Sequence, residues 1–325
     1  MSINLKDIFA DDLFAVSRVI ADSISSKEIL VEDVGTYIFD AGGKRIRPIL
    51  TILISKICGY TGTKHLFLAA AVELIHAATL LHDDVVDESS TRRSRPTANF
   101  KWGNKASILV GDFLFSQSFK LMVRSESMDA LTSLANASAV IAEGEVMQLA
   151  RLYENRMLSV KEYEDIAQAK TAALFGASTH VGTIISNQSQ DICAASKKYG
   201  DIIGLMFQIK DDMLDYFADS NVTGKNTGDD LAQGSITLPI ILAYGAANAE
   251  DKAKLEYYFF ESNNRSEHFN DILKILCQYN VKEKIATHIE MLSKEAEQAI
   301  KTLPHSDEYT KYLYHILDYV VGRNN

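Results

Sequence analysis

Two five-residue segments carry most of the chemistry legible in this chain. Asp83-Asp84-Val85-Val86-Asp87 and Asp211-Asp212-Met213-Leu214-Asp215 share one spacing, with three carboxylates in each. On a helix the first and last aspartates of a set stand at i and i+4 and share a face, and the second flanks them. Carboxylates held this close repel one another, and a bound cation relieves that cost. Mg²⁺ suits such a pair. It takes oxygen ligands in an octahedron, keeps several waters, and is usually held by one or two carboxylates plus substrate phosphates. Two such half-sites facing each other can hold one diphosphate through shared ions. A lone motif of this kind is more often a solvated acidic face. Two copies, each following an apolar helical stretch, argue against that reading.

Cations in the right number accompany them. Gly42-Gly43-Lys44-Arg45-Ile46-Arg47-Pro48 sets three cations in four positions beside a helix start, and Arg92-Arg93 follows Asp87 by five residues. Lys170-Thr171 sits on a further helix and Gly224-Lys225 in a glycine-rich stretch. Arginine forks onto phosphate, lysine acts as a compact charge, and a helix N-terminus adds N–H donors. A diphosphate needs several of these at once. Arg45 and Arg95 read better as weak surface ion pairs, whereas Lys44, Arg47, Arg92 and Arg93 read as anion ligands. His76, seven residues before Asp83, lies on nearly the same helix face two turns away. Alone it would be a hydrogen-bonded core histidine; here it is placed to donate to the diphosphate of a second substrate. Gln208 precedes the second aspartate set by one turn.

The elements that must position these groups are helical. The chain has 325 residues, 47% of them hydrophobic, and only 4 prolines, at 48, 96, 239 and 304. Apolar spacing predicts helices over about 8–25, 28–40, 46–58, 65–88, 105–123, 128–153, 160–184, 190–217, 236–247, 250–260, 266–279, 281–302 and 308–321. Gly42-Gly43 and Gly59 end helices. Asp219 to Gly234, with three glycines, reads as a mobile loop able to close over a site. No run of alternating β-branched residues bounded by hairpin turns is visible. The expected fold class is all-α, a single large helical bundle forming one domain over 1–325.

Composition excludes several functions. A net charge of −10 argues against general nucleic-acid binding. Cys58, Cys193 and Cys277 are far apart and form no C-x-x-C, which disfavours zinc and redox sites and suits a reducing cytosol. The N-terminus lacks a signal-peptide pattern, and the apolar window Leu66 to Leu81, containing Glu73 and His76, reads as too short and too polar to span a bilayer. A soluble, cytoplasmic protein without a transmembrane segment is expected.

Taken together, the segments GGKRIRP (42–48), LLHDDVVDESSTRRSRP (80–96), GNKASILVGDFLF (103–115), EGEVMQL (143–149), KT (170–171), FQIKDDMLD (207–215), GKNTGDD (224–230) and TLP (237–239) resemble the trans-isoprenyl diphosphate synthase (polyprenyl synthetase) family. The nearest subfamily is that of octaprenyl and decaprenyl diphosphate synthases. The resemblance implies a bundle of the isoprenoid synthase type with a central substrate cavity. It implies that Lys44, Arg47, His76 and Arg93 bind isopentenyl diphosphate. It implies that Asp83, Asp84, Asp87, Asp211 and Asp215 hold Mg²⁺, about three ions per site with substrate bound. Arg92, Lys170, Thr171, Gln208 and Lys225 would contact the allylic diphosphate. Asp83, Asp84, Asp87, Arg92, Lys170 and Asp211 would carry the catalysis. A homodimer is implied as well, and the apolar segment 105–123 could supply an interface. One departure stands out: the family usually has lysine where this chain has Ser235, which predicts weaker allylic binding.

The implied reaction breaks the allylic C–O bond, lets the double bond of isopentenyl diphosphate attack the cation, and then loses a proton. No nucleophile is needed, and no Ser-His-Asp or Cys-His arrangement is visible. Repeated addition needs a tunnel for the growing tail. Ala78 and Thr79 lie about one turn before Asp83, where short-chain members often carry a bulky aromatic, so the tail can pass and a product of about C40–C50 for quinone side chains is expected. Met122 and Phe119 are weaker candidates for the tunnel floor. The competing readings are a farnesyl or geranylgeranyl synthase, a terpene cyclase, and a non-catalytic partner subunit. The second aspartate set opposes the last two.

Overall fold

The computed structural model describes residues 4–93, 95–218 and 227–323. Helices follow one another almost without interruption: α1 (Leu5–Ile8), α2 (Ala10–Ile24), α3 (Ile29–Asp40), α4 (Ile46–Ile57), α5 (Lys64–Val86), α6 (Ala98–Trp102), α7 (Asn104–Arg124), α8 (Met128–Leu152), α9 (Val160–Ala167), α10 (Ala173–Ile185) and α11 (Gln190–Phe217). Then come α12 (Asp229–Gln233), α13 (Leu238–Ala246), α14 (Ala249–Glu256), α15 (Phe269–Gln278), α16 (Val281–Thr302) and α17 (Thr310–Val321). A π-helical turn at Gln168–Ala172 joins α9 to α10, and another follows α14 at Tyr257–Glu261.

Local chemistry sets the ends. Ser159 and Glu162 form a reciprocal capping box at the start of α9, and Asn248 caps α14 by accepting from the Asp251 N–H. Pro48 and Pro239 sit in the first turns of α4 and α13, where the missing N–H has no helical partner in any case. Gly59, at φ 71°, closes α4 in a conformation that favours glycine.

The chain divides into two compact units. The first comprises Met1–Ser138, Leu174–Gly200 and Ala299–His315. Its centre is α5, which packs on α7, α4 and α2. Leu68, Ala69, Ala70, Ala71, Val72, Leu74, Ile75, Ala77, Ala78 and Leu81 are all buried, so α5 is apolar nearly all round, as a core helix must be. The second unit comprises Ala139–Ala173, Asp201–Gln298 and Ile316–Asn325. In it α13 packs on α9 and α15.

Three expectations need correction. Thr91–Arg92 and Arg95–Pro96 form a two-residue antiparallel ladder, β1 and β2, too short for periodicity to reveal. Within the expected loop 219–234, residues 229–233 are the helix α12, started and ended by Gly228 and Gly234 in the left-handed region; residues 219–226 lie outside the described part. The apolar window at 66–81 belongs to a 23-residue helix, and α5 and the 21-residue α7 are both long and apolar enough to cross a membrane by length and composition. Two thirds of that stretch of α5 is buried inside the protein, against 39% for α7.

Candidate active site

The first aspartate set ends α5, and its members face different ways. Asp83 is half-buried and Asp87, the C-cap, is exposed, whereas Asp84 is 1% exposed. Arg92 Nε donates to Asp84 Oδ1 at 2.8 Å, and Asn99 Nδ2 donates to the Asp84 carbonyl at 2.9 Å. Burial raises the Asp84 pKa, partly offset by Arg92. The sequence grouped Asp84 with Asp83 and Asp87 as a metal ligand. The structure turns its carboxylate inward, with Oδ1 on Arg92. Arg92 is thereby held at the foot of the cluster.

In the same unit the expected isopentenyl diphosphate ligands converge. Burial, and after it the charges of Arg47, Arg93, Arg92 and Arg45, hold the His76 pKa well below the usual imidazole range. His76 is therefore a neutral donor near neutral pH. The Arg47 guanidinium stacks on the buried Phe175 ring, 4.2 Å from its centroid. Arg93, at φ 52°, donates to the Gly42 carbonyl. A Cβ at Gly43 would stand 3.0 Å from the Arg93 guanidinium, so glycine there admits the arginine. Lys44 is exposed at the head of this turn. Arg95, read from sequence as a surface cation, stacks on Tyr37 at 4.5 Å. Arg45 differs from its reading as a weak surface pair: it is half-buried on Glu73 at 2.6 Å.

The second unit carries the other set on α11. Asp211 pairs with Arg323 at 2.6 Å, and that arginine lies over Phe207. Asp212 is 3% exposed, accepting from Tyr163 Oη at 2.6 Å and Gln208 Nε2 at 2.7 Å. Burial raises its pKa to about 7 even though those two donors lower it. Asp215 caps the start of α12, accepting from the N–H groups of Gly228, Asp229 and Asp230 at 3.0–3.2 Å. Burial raises its pKa against these bonds. Thr171 donates to Gln208 Oε1 at 2.7 Å, so Thr171, Gln208, Asp212 and Tyr163 form one chain of hydrogen bonds.

Lys170 sits on the π-helical turn, a distortion common at functional sites. It pairs with Glu145 at 2.7 Å and with Gln148. Gly144 allows this approach, since a Cβ there would stand 2.7 Å from Ala169 Cβ and 3.0 Å from the Lys170 nitrogen. Lys225 lies outside the described residues. Ser235 donates its N–H to the Asp230 carbonyl, and the Arg265 guanidinium lies against the adjacent Gly234, so a cation stands beside this turn without the usual lysine.

Among the described residues no three His, Cys, Asp or Glu side chains converge into a complete metal cage. Oxygen-only carboxylate pairs, with Asp211 and Asp215 repelling Asp212, nevertheless fit a hard divalent ion that takes its remaining ligands from water and phosphate. Of the chain-length candidates, Ala78 is 1% exposed and offers no open surface, whereas Thr79 keeps some; its hydroxyl donates to the His76 carbonyl. Met122 is buried, but Phe119 lies on an exposed stripe of α7 and is not placed as a floor beside it.

Sequence reasoning missed Glu73, Glu145, Gln148, Tyr163, Phe175 and Arg323. Glu73 had a signal, a charge inside an apolar helix three residues before His76. Glu145 and Gln148 lay within a quoted motif without a role. Tyr163 and Arg323 are remote in sequence, and nothing in spacing points to them.

Known proteins agree with this chemistry. The polyprenyl synthetase family model matches residues 28–276. An octaprenyl diphosphate synthase of Haemophilus influenzae is 37% identical over 325 residues, covering 100% of this chain and 98% of that one. A decaprenyl diphosphate synthase structure from Rhodobacter capsulatus superposes with a TM-score of 0.93 at 40% identity, covering 99% of this chain and 98% of that one. A polyprenyl synthase of Caulobacter crescentus CB15, complexed with calcium and isoprenyl diphosphate, gives a TM-score of 0.93 at 36% identity over 99% and 98% of the two chains. With the family model spanning most of its length and relatives aligned end to end, this chain belongs to the polyprenyl synthetase family.

Proposed function

We propose that this chain is a long-chain trans-polyprenyl diphosphate synthase, adding isopentenyl diphosphate repeatedly to an allylic diphosphate such as farnesyl diphosphate. The observation that carries the reading is that both aspartate sets, each with its own cations, are intact in a chain aligned end to end with an octaprenyl diphosphate synthase. A geranylgeranyl or farnesyl synthase is not favoured, because Ala78 and Thr79 are small. A non-catalytic partner subunit is not favoured either, since neither aspartate set is lost.

The enzyme uses a divalent metal. The calcium-bound relative and the hard, oxygen-only donors support Mg²⁺, with Asp83, Asp87, Asp211 and Asp215 as its ligands. When bound, it neutralises charge on the allylic diphosphate as the C–O bond breaks. Arg92 and Lys170 add fixed positive charge toward the leaving group, Arg92 oriented by Asp84 and Lys170 by Glu145 and Gln148. Thr171 and Gln208 bind the same group. Lys44, Arg47, Arg93 and neutral His76 hold the diphosphate of isopentenyl diphosphate, whose double bond attacks the cation; the departing diphosphate takes the proton.

The chain works as one catalytic domain and as a homodimer in the cytoplasm, making quinone side chains. The dimer reading is supported by α7, where Ile108, Leu109, Phe119 and Val123 form an exposed apolar stripe. The test is incorporation of labelled isopentenyl diphosphate by the wild type and by Asp83→Ala and Asp211→Ala. The reading requires wild-type incorporation that both substitutions and EDTA abolish. Undiminished incorporation in both variants would overturn it.

A further inference from the structure

The turn that begins α4 adopts a conformation that its own residues disfavour. Arg45 has φ 55° and ψ 29°, left-handed and costly for a residue with a side chain, and it follows Gly42 at φ 72° and Gly43 at φ 148°. Something outside the turn must hold it. Arg45 Nη1 donates to Glu73 Oε1 at 2.6 Å, and its Nη2 donates to the Phe39 carbonyl at 3.3 Å. The Arg45 guanidinium also lies over the Phe39 ring, 5.6 Å from its centroid. Glu73 is 7% exposed, deep in α5, and one helical turn before His76.

We propose that Glu73 is a positioning residue for the isopentenyl diphosphate site: by anchoring Arg45 it fixes the 42–47 turn and so sets where Lys44 and Arg47 present their charges. This rests on the proposed function, which places the isopentenyl diphosphate ligands on that turn. Three observations point the same way. First, the turn is tied by Arg93 on the Gly42 carbonyl and, through Arg45, by Glu73 and the Phe39 carbonyl. The Arg93 tie uses a proposed substrate ligand, whose guanidinium a bound diphosphate would share. The Glu73 tie uses none and persists. Second, the charges of Arg47, Arg93, Arg92 and Arg45 all act on His76, and Glu73 is an opposite charge acting on Arg93 among them. Third, a carboxylate buried in an otherwise apolar helix costs free energy unless it is paired, so its place in α5 is explained by what it holds.

Glu73→Gln keeps shape and removes charge. Expected are a tenfold or greater rise in KM for isopentenyl diphosphate, a KM for farnesyl diphosphate within twofold of wild type, and faster trypsin cleavage after Lys44 and Arg45 in the substrate-free protein. The double variant Arg45→Gln/Glu73→Gln leaves no buried charge uncompensated. It should recover the thermal stability lost in Glu73→Gln while its KM for isopentenyl diphosphate stays raised. If Glu73 only neutralises Arg45, the double variant recovers both stability and KM, and the proposal fails. It fails too if both KM values rise together, or if cleavage at the turn is unchanged. A wild type that incorporates no isopentenyl diphosphate would defeat the proposed function, while the cleavage comparison would still decide whether Glu73 holds the turn.

Discussion

Replacing Tyr163 with phenylalanine removes one oxygen from the interior and tests how the second aspartate set is held. Tyr163 is 5% exposed, Asp212 is 3% exposed, and the bond between them is 2.6 Å. Without the hydroxyl, Asp212 loses one of its two side-chain donors, and the cost of leaving a buried acceptor short is about 1–3 kcal/mol. Burial raises the Asp212 pKa to about 7 even with the Tyr163 bond lowering it, so loss of that hydroxyl shifts the carboxyl further toward the protonated form. Asp212 also accepts from Gln208, which accepts from Thr171, so a slackened Asp212 loosens two proposed allylic ligands. If the whole loss reaches the binding step, KM for the allylic diphosphate rises by about 5- to 150-fold, at 1.4 kcal/mol per factor of ten. Thermal unfolding and paired KM measurements, allylic and isopentenyl, are the assay. A several-degree fall in Tm with a raised allylic KM is expected. An unchanged allylic KM beside a lowered Tm would refute the relay and leave Tyr163 a packing residue.

Three further outcomes follow from the geometry. His76 stays neutral in the fold, with its pKa well below 6.5, whereas the unfolded chain takes up a proton there near 6.5. Its stabilising share is therefore complete above pH 6.5 and is lost as pH falls toward the folded value, by up to about 1.4 kcal/mol per pH unit. Urea unfolding at a series of pH values should show a shallower acid decline in His76→Gln, and identical slopes would count against it. Thr79→Phe places a ring about 6 Å along α5 from Asp83 and should shorten the products without lowering the first addition, as read from product sizing. An unaltered product length would remove Thr79 from the tunnel. Gly144→Val drives a side chain into Ala169 and the Lys170 backbone, and should cut kcat while costing about 1–3 kcal/mol of stability; an unchanged kcat would detach Gly144 from Lys170.

The long helices were legible because α5, α8, α11 and α16 each bury a regular apolar pattern, and such patterns survive any arrangement of neighbours. The strand pair at 91–96 and the short α6 and α12 were not, since two to five residues hold too little periodicity. Within the proposed site, residue types and spacing pointed to the aspartates and cations but not to their orientation. Nothing in the run Asp83-Asp84 says that one side chain opens outward and the next turns inward to Arg92; that follows from which face of α5 meets the core. Arg45 misled for a related reason. It lies beside two proposed substrate ligands and looks like a surface charge until Glu73, 28 residues on, is brought against it. The residues that orient others, Tyr163 under Asp212 and Arg323 against Asp211, are separated from their partners by 49 and more positions, and only the fold joins them.

The most direct test of the central claim is the length of the product. Purified protein with Mg²⁺, farnesyl diphosphate and labelled isopentenyl diphosphate should yield, after dephosphorylation, a ladder ending at about eight to ten isoprene units, the length of an approximately C40–C50 chain. A ladder that stops at about four units would contradict the long-chain assignment while leaving the chemistry intact, and no incorporation by the folded protein would contradict the account as a whole.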